Sequence, residues 1–245
     1  MEKKLQVKSI VPAPPPAHRS RPGFGLTVFA VVWKDLMAEM RSRELLSAML
    51  VFALLVIFIF NFALELTPTV RSEVTAGVLW VTFAFAGTLG LNRSMALEKD
   101  RGCLDGLLLA PVERSAIYFG KAIGNLTFML IMAVIVLPLY AVFYGVNVFR
   151  PGLLLVILLG SIGYTAAGTL LAAMSVQTRT RDILLPILLF PIVLPVLIAS
   201  VKASSSFLGK APNISVILPW LNFLIAYDII FITLAFMVFD YLVEE

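Results

Sequence analysis

Charge is scarce in this chain: of its 245 residues only 14% are Asp, Glu, Lys or Arg, while 60% are hydrophobic. A soluble domain has no core able to hide that much apolar side chain, so the excess faces lipid. Histidine and cysteine are scarcer still, with one of each, His18 and Cys103. A single thiol forms no internal disulfide, so cysteine usage carries no information about a redox compartment. One histidine and one cysteine build no metal cluster. His18 sits in a Pro-rich tail, so no Ser-His-Asp set can form, and no Gly-x-Ser-x-Gly elbow is present. The chain also lacks a Gly-x-x-x-x-Gly-Lys-Ser/Thr loop and a Gly-x-Gly-x-x-Gly turn after a strand. No catalytic set, metal site or cofactor site is therefore assigned to it. Any uphill transport must draw on an ion gradient or on a partner ATPase. The net charge of +4 is not a nucleic-acid signal, because basic residues gather on the cytoplasmic side of membrane proteins and raise the net charge by themselves.

What is present is apolar sequence in long runs. A chain of 245 residues has room for roughly six spans of about 20 residues with short loops. The runs fall at 45–64, 74–91, 122–144, 153–174, 183–201 and 220–243. Each is expected to be a helix, because an open sheet would leave unpaired backbone groups in lipid. Ahead of them, Leu26 to Glu44 carries Phe29, Val32, Trp33, Leu36, Met37 and Met40 at helical spacing, with Lys34, Asp35, Glu39 and Ser42 on the other side. That pattern predicts a helix lying in the membrane interface. Residues 1–23 have no apolar stretch long enough for a signal peptide, and Pro12, Pro14, Pro15 and Pro16 interrupt the one short candidate. They are read as a disordered Pro-rich cytoplasmic tail, followed by one membrane domain over 24–245. The segment from Lys202 to Pro219 is expected to be a short surface or re-entrant piece, broken by Pro212 and Pro219.

Orientation follows from Lys and Arg. Eight precede the first run (Lys3, Lys4, Lys8, Arg19, Arg21, Lys34, Arg41 and Arg43). Five lie between the second and third (Arg93, Lys99, Arg101, Arg114 and Lys121), and two between the fourth and fifth (Arg179 and Arg181). The other side holds four: Arg71, Arg150, Lys202 and Lys210. The positive-inside rule places both termini in the cytoplasm. Inside the runs the main charge is Asp228, a candidate intramembrane polar site; Glu65 and Asp240 lie near run ends. Asp228 is either a polar group facing the bundle interior or a structural partner for a helix end. One carboxylate is not a relay, which counts against an ion-driven carrier.

The segment after the second run carries the most information. Glu98 to Arg101 is charged and leads to Gly102; Leu104, Leu107 and Leu108 then share one helical face, and Pro111 ends the piece. An apolar stripe exposed to cytosol needs a cover, either a groove on a soluble partner or the membrane surface.

Glu98-x-x-x-Gly102-x-Leu104, followed by Leu107-Leu-Leu-Ala-Pro111 and Arg114, resembles the coupling-helix loop of ABC-2-type permeases. A narrower resemblance is to the cytochrome c maturation protein B (CcmB) haem-exporter family. It is carried by Arg43-Glu-Leu-Leu46, Gly77-Val-Leu-Trp-Val81, Leu89-Gly-Leu-Asn-Arg-Ser94, Gly102-Cys-Leu-Asp-Gly-Leu-Leu-Leu-Ala-Pro111, Ala116-Ile-Tyr-Phe-Gly-Lys121 and Phe239-Asp-Tyr-Leu-Val-Glu-Glu245. It spans about Val32 to Glu245 and is strongest from Gly77 to Leu139.

The resemblance implies an all-α polytopic permease of the ABC-2 type, with six transmembrane helices, an N-terminal interfacial helix and a cytoplasmic coupling helix. Glu98, Gly102, Leu104, Leu107 and Leu108 would couple it to a cytosolic CcmA-like ATPase, which holds the ATP. CcmC-like and CcmD-like membrane proteins would be further partners, and two copies of the chain would pair in the cell inner membrane. Haem would be the cargo of the complex. Two outcomes stay open: haem passes through this subunit, or ATP is used to release the loaded chaperone. An ABC-2 permease that exports a drug, lipid or glycan is the alternative. Haem iron is usually held by His, Cys, Met or Tyr. No His lies in a run, and Met129, Met132, Met174 and Met237 are scattered as packing residues are. Axial ligation by this chain is therefore not expected.

Overall fold

In hydrocarbon a backbone amide finds its partner within its own helix or not at all, so the apolar runs fold as helices. The computed structural model describes residues 23–63, 71–100, 112–175, 178, 180–209 and 212–242, and every regular element among them is an α-helix. In chain order these are α1 (Phe24–Ser42), α2 (Glu44–Ala63), α3 (Arg71–Asp100), α4 (Arg114–Tyr144), α5 (Pro151–Ser175), α6 (Arg181–Leu208) and α7 (Ile214–Leu242). Helices α2 to α7 are long and apolar enough to cross a membrane. The chain is an all-α polytopic membrane protein with the six expected spans.

The helix ends differ from the ends of the apolar runs. Helix α3 continues nine residues past Leu91, and α4 starts eight residues before Ala122. Arg93 and Lys121 are therefore helix residues and not loop residues, because each polar side chain finds a partner on a neighbouring helix. The expected surface piece from Lys202 to Pro219 is also corrected. Most of it is helix: α6 runs to Leu208, α7 begins at Ile214, and Pro219 stands inside α7. Prolines persist within α4, α6 and α7 because neighbouring helices can accommodate the backbone groups they free. The tail, residues 1–22, lies outside the described residues.

Helix α5 sits against α3, α4, α6 and α7. Its small residues let those helices approach closely, the usual packing device where lipid removes the hydrophobic drive between helices. A Cβ on Gly160 would lie 2.3 Å from the Trp80 ring and 2.5 Å from Ser200 Oγ. Side-chain hydrogen bonds then fix the register between helices. Trp80 Nε1 donates to Ser204 Oγ at 2.9 Å, Asn125 Nδ2 donates to Thr169 Oγ1 at 2.9 Å, and Tyr164 Oη donates to the Ala84 carbonyl at 2.6 Å. Each such bond is worth about 0.6–2 kcal/mol in a membrane bundle. Met129 and Met132 are core residues beside Phe128 and Val136. Met174 and Met237 are exposed.

Candidate functional site

The segment singled out in the sequence joins the C-terminus of α3 to the N-terminus of α4. Glu98 belongs to the last turn of α3. Gly102, Leu104, Leu107 and Leu108 lie outside the described residues. The structure does describe the frame that holds both ends of that segment, and this frame is built from polar residues of α1.

Helices α1 and α2 meet at an elbow. Arg43 has φ 54, a left-handed conformation that costs a non-glycine residue roughly 1–2 kcal/mol. Three hydrogen bonds offset that cost. The Arg43 N–H donates to the Glu39 carbonyl at 2.7 Å, the Ser47 N–H donates to the Arg43 carbonyl at 3.2 Å, and the Leu46 N–H donates to Glu39 Oε1 at 2.9 Å. The Glu39 carboxyl thus does the work of an N-cap side chain for α2 from one turn back in α1. Its negative charge also suits the positive end of the α2 dipole. Glu44, in the first turn of α2, pairs with Arg93 on α3.

The same helix clamps α4. Phe24 meets Phe119 edge-on with ring centroids 5.9 Å apart. Val31 crosses at Gly120, where a Cβ would stand 2.6 Å from the valine Cβ, so only glycine admits this approach. Lys121 Nζ donates to Asp35 Oδ2 at 2.7 Å, and Lys34 Nζ lies 3.1 Å from Asp35 Oδ1. The Lys121 and Asp35 side chains are only 4% and 10% exposed. Helix α4 has 31 residues, about 46 Å at about 1.5 Å per residue, against a hydrocarbon core of about 30 Å. Helix α1 crosses its first three turns.

The outward face of α1 carries the apolar stripe: Phe29 is 65% and Trp33 55% exposed. Asp35 and Glu39, expected on a water-facing side, instead face the bundle. Sequence reasoning found the two faces of α1 and missed what covers the polar one. Two signals could have suggested it: Lys121 stands in an otherwise apolar stretch, and Asp35 and Glu39 are one turn apart. The chemical capacity of the frame is mechanical. It ties α3 to α2, and α4 to α1, through charged contacts on either side of the connecting segment.

Asp228 lies near the middle of α7, 6% exposed, and neither carboxyl oxygen has a hydrogen-bond partner among the described residues. It packs on α5 at Gly163, where a Cβ would stand 2.5 Å from Oδ1. The neighbouring Tyr227 hydroxyl donates to the Ile192 carbonyl at 2.9 Å. Asp228 therefore faces the bundle interior, at a notch that only glycine leaves open. Gly163→Ala should destabilise the bundle by about 1–3 kcal/mol through overpacking. The same change in an Asp228→Ala background should cost less, since the nearest oxygen is gone and the next atoms, Tyr227 Cδ1 and Val196 Cγ2, stand at 3.1 and 3.3 Å. Unfolding midpoints of the four proteins in detergent check this, and equal costs in both backgrounds would remove the contact.

A family model described as CcmB protein matches residues 26–243. The chain belongs to the CcmB family. It is similar to heme exporter protein B of Rhodobacter capsulatus, 29% identical over 172 residues that cover 69% of this chain and 78% of that one. The protein of the same name from Pseudomonas aeruginosa is 28% identical over 174 residues, covering 71% and 78%. That of Paracoccus denitrificans is 28% identical over 179 residues, covering 71% and 80%. The CcmB match takes in α1 from its third residue through α7, so the elbow and the Val31–Gly120 and Asp35–Lys121 contacts of the clamp lie within the family's span, and Phe24 lies just outside it. It begins at Leu26 and leaves out the Pro-rich tail.

Proposed function

We propose that this chain is the membrane-spanning permease subunit of an ATP-driven complex in cytochrome c maturation, supporting haem export or release of the haem-loaded chaperone. The observation that carries the proposal is the CcmB match over residues 26–243 of a six-span chain. The relatives' printed name supplies haem as cargo. The chain itself brings no catalytic step in this reading. A cytosolic CcmA-like ATPase binds and hydrolyses ATP, and Glu98, Gly102, Leu104, Leu107 and Leu108 form the surface it docks on. CcmC-like and CcmD-like membrane proteins complete the assembly, with two copies of this chain paired in the cell inner membrane.

The frame around the connecting segment supports this use. A push on that segment reaches α4, and α4 is tied to α1 by the Lys121–Asp35 contact; α1 in turn caps α2 through Glu39. Co-purification tests the proposal: the chain should bring down an ATPase subunit and a CcmC-like protein together. An ATPase partner without any haem-handling protein would favour the alternative, an ABC-2 permease exporting a drug, lipid or glycan. Flux of labelled haem through the reconstituted complex separates passage through the membrane from chaperone release.

The orientation belongs to the same proposal, with both termini and the segment after α3 in the cytoplasm. The support is the basic asymmetry, fifteen Lys and Arg against four. Reporter fusions after Glu73 and after Lys210 should report outside, and fusions after Arg114 inside. A terminus found outside would overturn the map.

A further inference from the structure

We infer that the outward side of α1 binds anionic phospholipid headgroups, through Arg41 and Lys34 beside the Phe29–Trp33 ring pair. The depth of α1 in the membrane follows from how it meets α4. Phe24 lies on Phe119, Val31 at Gly120, and Asp35 at Lys121 and Gly124. Eleven residues of α1, about 16 Å, thus pass over five residues of α4, about 8 Å, so the two helices cross steeply and do not run side by side. With α4 spanning the membrane, α1 lies closer to the membrane plane than to its normal. Helix α4, with 31 residues, is about 16 Å longer than a hydrocarbon core of about 30 Å. Shared between its two ends, that surplus puts one hydrocarbon boundary about five residues into the helix, near Phe119, where α1 crosses. Helix α1 therefore lies at headgroup depth.

Two rows of side chains share the outward side. Phe29, Trp33 and Met40 form an apolar row, and the Phe29 and Trp33 rings stack with centroids 6.1 Å apart. Lys34 and Arg41, seven residues or about two turns apart, form a basic row one residue further round the helix. Arg41 is exposed, and among the described residues no carboxylate is placed against its guanidinium. Lys34 also reaches Asp35, so Arg41 carries most of the outward charge. The acids of α1, Asp35 and Glu39, face the bundle, which leaves the outward side cationic. A ring row with a basic edge is the make-up of a helix held by anionic lipid: the rings settle among the headgroups and the cations meet phosphate. A second copy of the chain fits poorly, because pairing this side with itself would set Arg41 and Lys34 against like charges. Since α1 caps α2 through Glu39 and holds α4 through Asp35, a lipid bound here becomes part of the frame.

The test uses the full chain in nanodiscs of phosphatidylcholine and phosphatidylglycerol in equal amounts. In one set the phosphatidylglycerol carries brominated acyl chains, in the other the phosphatidylcholine does. Bromine quenches tryptophan at contact, and the difference between wild type and Trp33→Phe isolates the Trp33 signal from Trp80 and Trp220. The ratio of quenching in the two sets gives the relative occupancy of the two lipids beside α1. Phosphatidylglycerol should be preferred about fivefold, the factor that one basic residue near an anionic surface supplies. Arg41→Gln should bring the preference to about one, and Arg41→Lys should keep it, since the charge is what counts. Glutamine and lysine are as good helix formers as arginine, so α1 itself is preserved. Raising the salt to about 1 M, where the Debye length is about 3 Å, should abolish the preference in the wild-type chain without any substitution. Equal quenching by the two lipids in the wild type would overturn the inference. So would a preference that survives both Arg41→Gln and high salt. Quenching of Trp33 by neither lipid would overturn it as well, by showing that protein, such as a second copy, covers this side of α1.

Discussion

Replacing Lys121 by methionine should destabilise the folded chain by about 3 kcal/mol and release α1 from α4. Removing one partner of a buried ion pair costs about 3–5 kcal/mol, because the remaining charge is left in low dielectric. Asp35 is that remaining charge. Lys34 stays 3.1 Å away but is 41% exposed, so it compensates in part and the lower end of the range applies. The double variant Lys121→Met with Asp35→Leu should recover most of the loss, since replacing a buried pair by apolar residues of similar size is often neutral or stabilising. Unfolding midpoints in detergent give the energies. Trp33 fluorescence should shift in the single variant as α1 detaches, and return in the double. A single variant as stable as wild type would show that water already reaches Asp35. An equally damaged double variant would show that the side chains matter for shape and not for charge.

The functional consequence separates two roles for this contact. If α1 only holds α4 in place, the double variant restores cytochrome c maturation along with stability. If the charge pair must break and re-form as the ATPase works, the double variant is stable and inactive. Both outcomes are read in one complementation assay.

The six spans were legible because a helix in lipid needs little beyond a run of about 20 apolar residues. Their ends were not, and the reason lies in particular side chains. Arg93 and Lys121 look like loop residues when only hydropathy is counted. Each is carried into a helix by a partner on another element, Glu44 and Asp35, and a single sequence does not state which helices are neighbours. The same gap explains α1. Helical spacing separates Phe29, Trp33 and Met40 from Asp35 and Glu39 correctly, but spacing defines faces and not their surroundings. The polar face met protein and the apolar face was left outward. Asp228 stood out by composition as an acid within an apolar run. Its notch at Gly163 depends on α5 lying against α7, a contact with no local signal.

Leu104→Asp or Leu107→Asp should strip the ATPase from the complex and stop cytochrome c maturation, while the chain still inserts and folds. Leu104, Leu107 and Leu108 share a face by their spacing. Burying a leucine side chain is worth roughly 1.5–3 kcal/mol. Losing one such contact and placing a carboxylate in an apolar groove removes that term and adds the cost of an unpaired buried charge. Glu98, in the last turn of α3, would add a charge-assisted hydrogen bond at the rim of the docking surface. Gly102 would permit close backbone approach. The bundle itself should be indifferent, because these leucines lie in the segment between α3 and α4 and not in a span. The competing account has the stripe resting on lipid headgroups. In that case the same variants would lower membrane stability or do little, and the ATPase would stay bound. Pull-down of the ATPase with each variant, beside an expression check and the unfolding midpoint, decides between them. The Lys121→Met, Asp35→Leu double variant is the control for transmission. It should keep the ATPase bound, since it leaves the stripe untouched, whatever it does to maturation. ATPase retained at wild-type level by both leucine variants would remove the coupling role from this segment and leave the function resting on family membership.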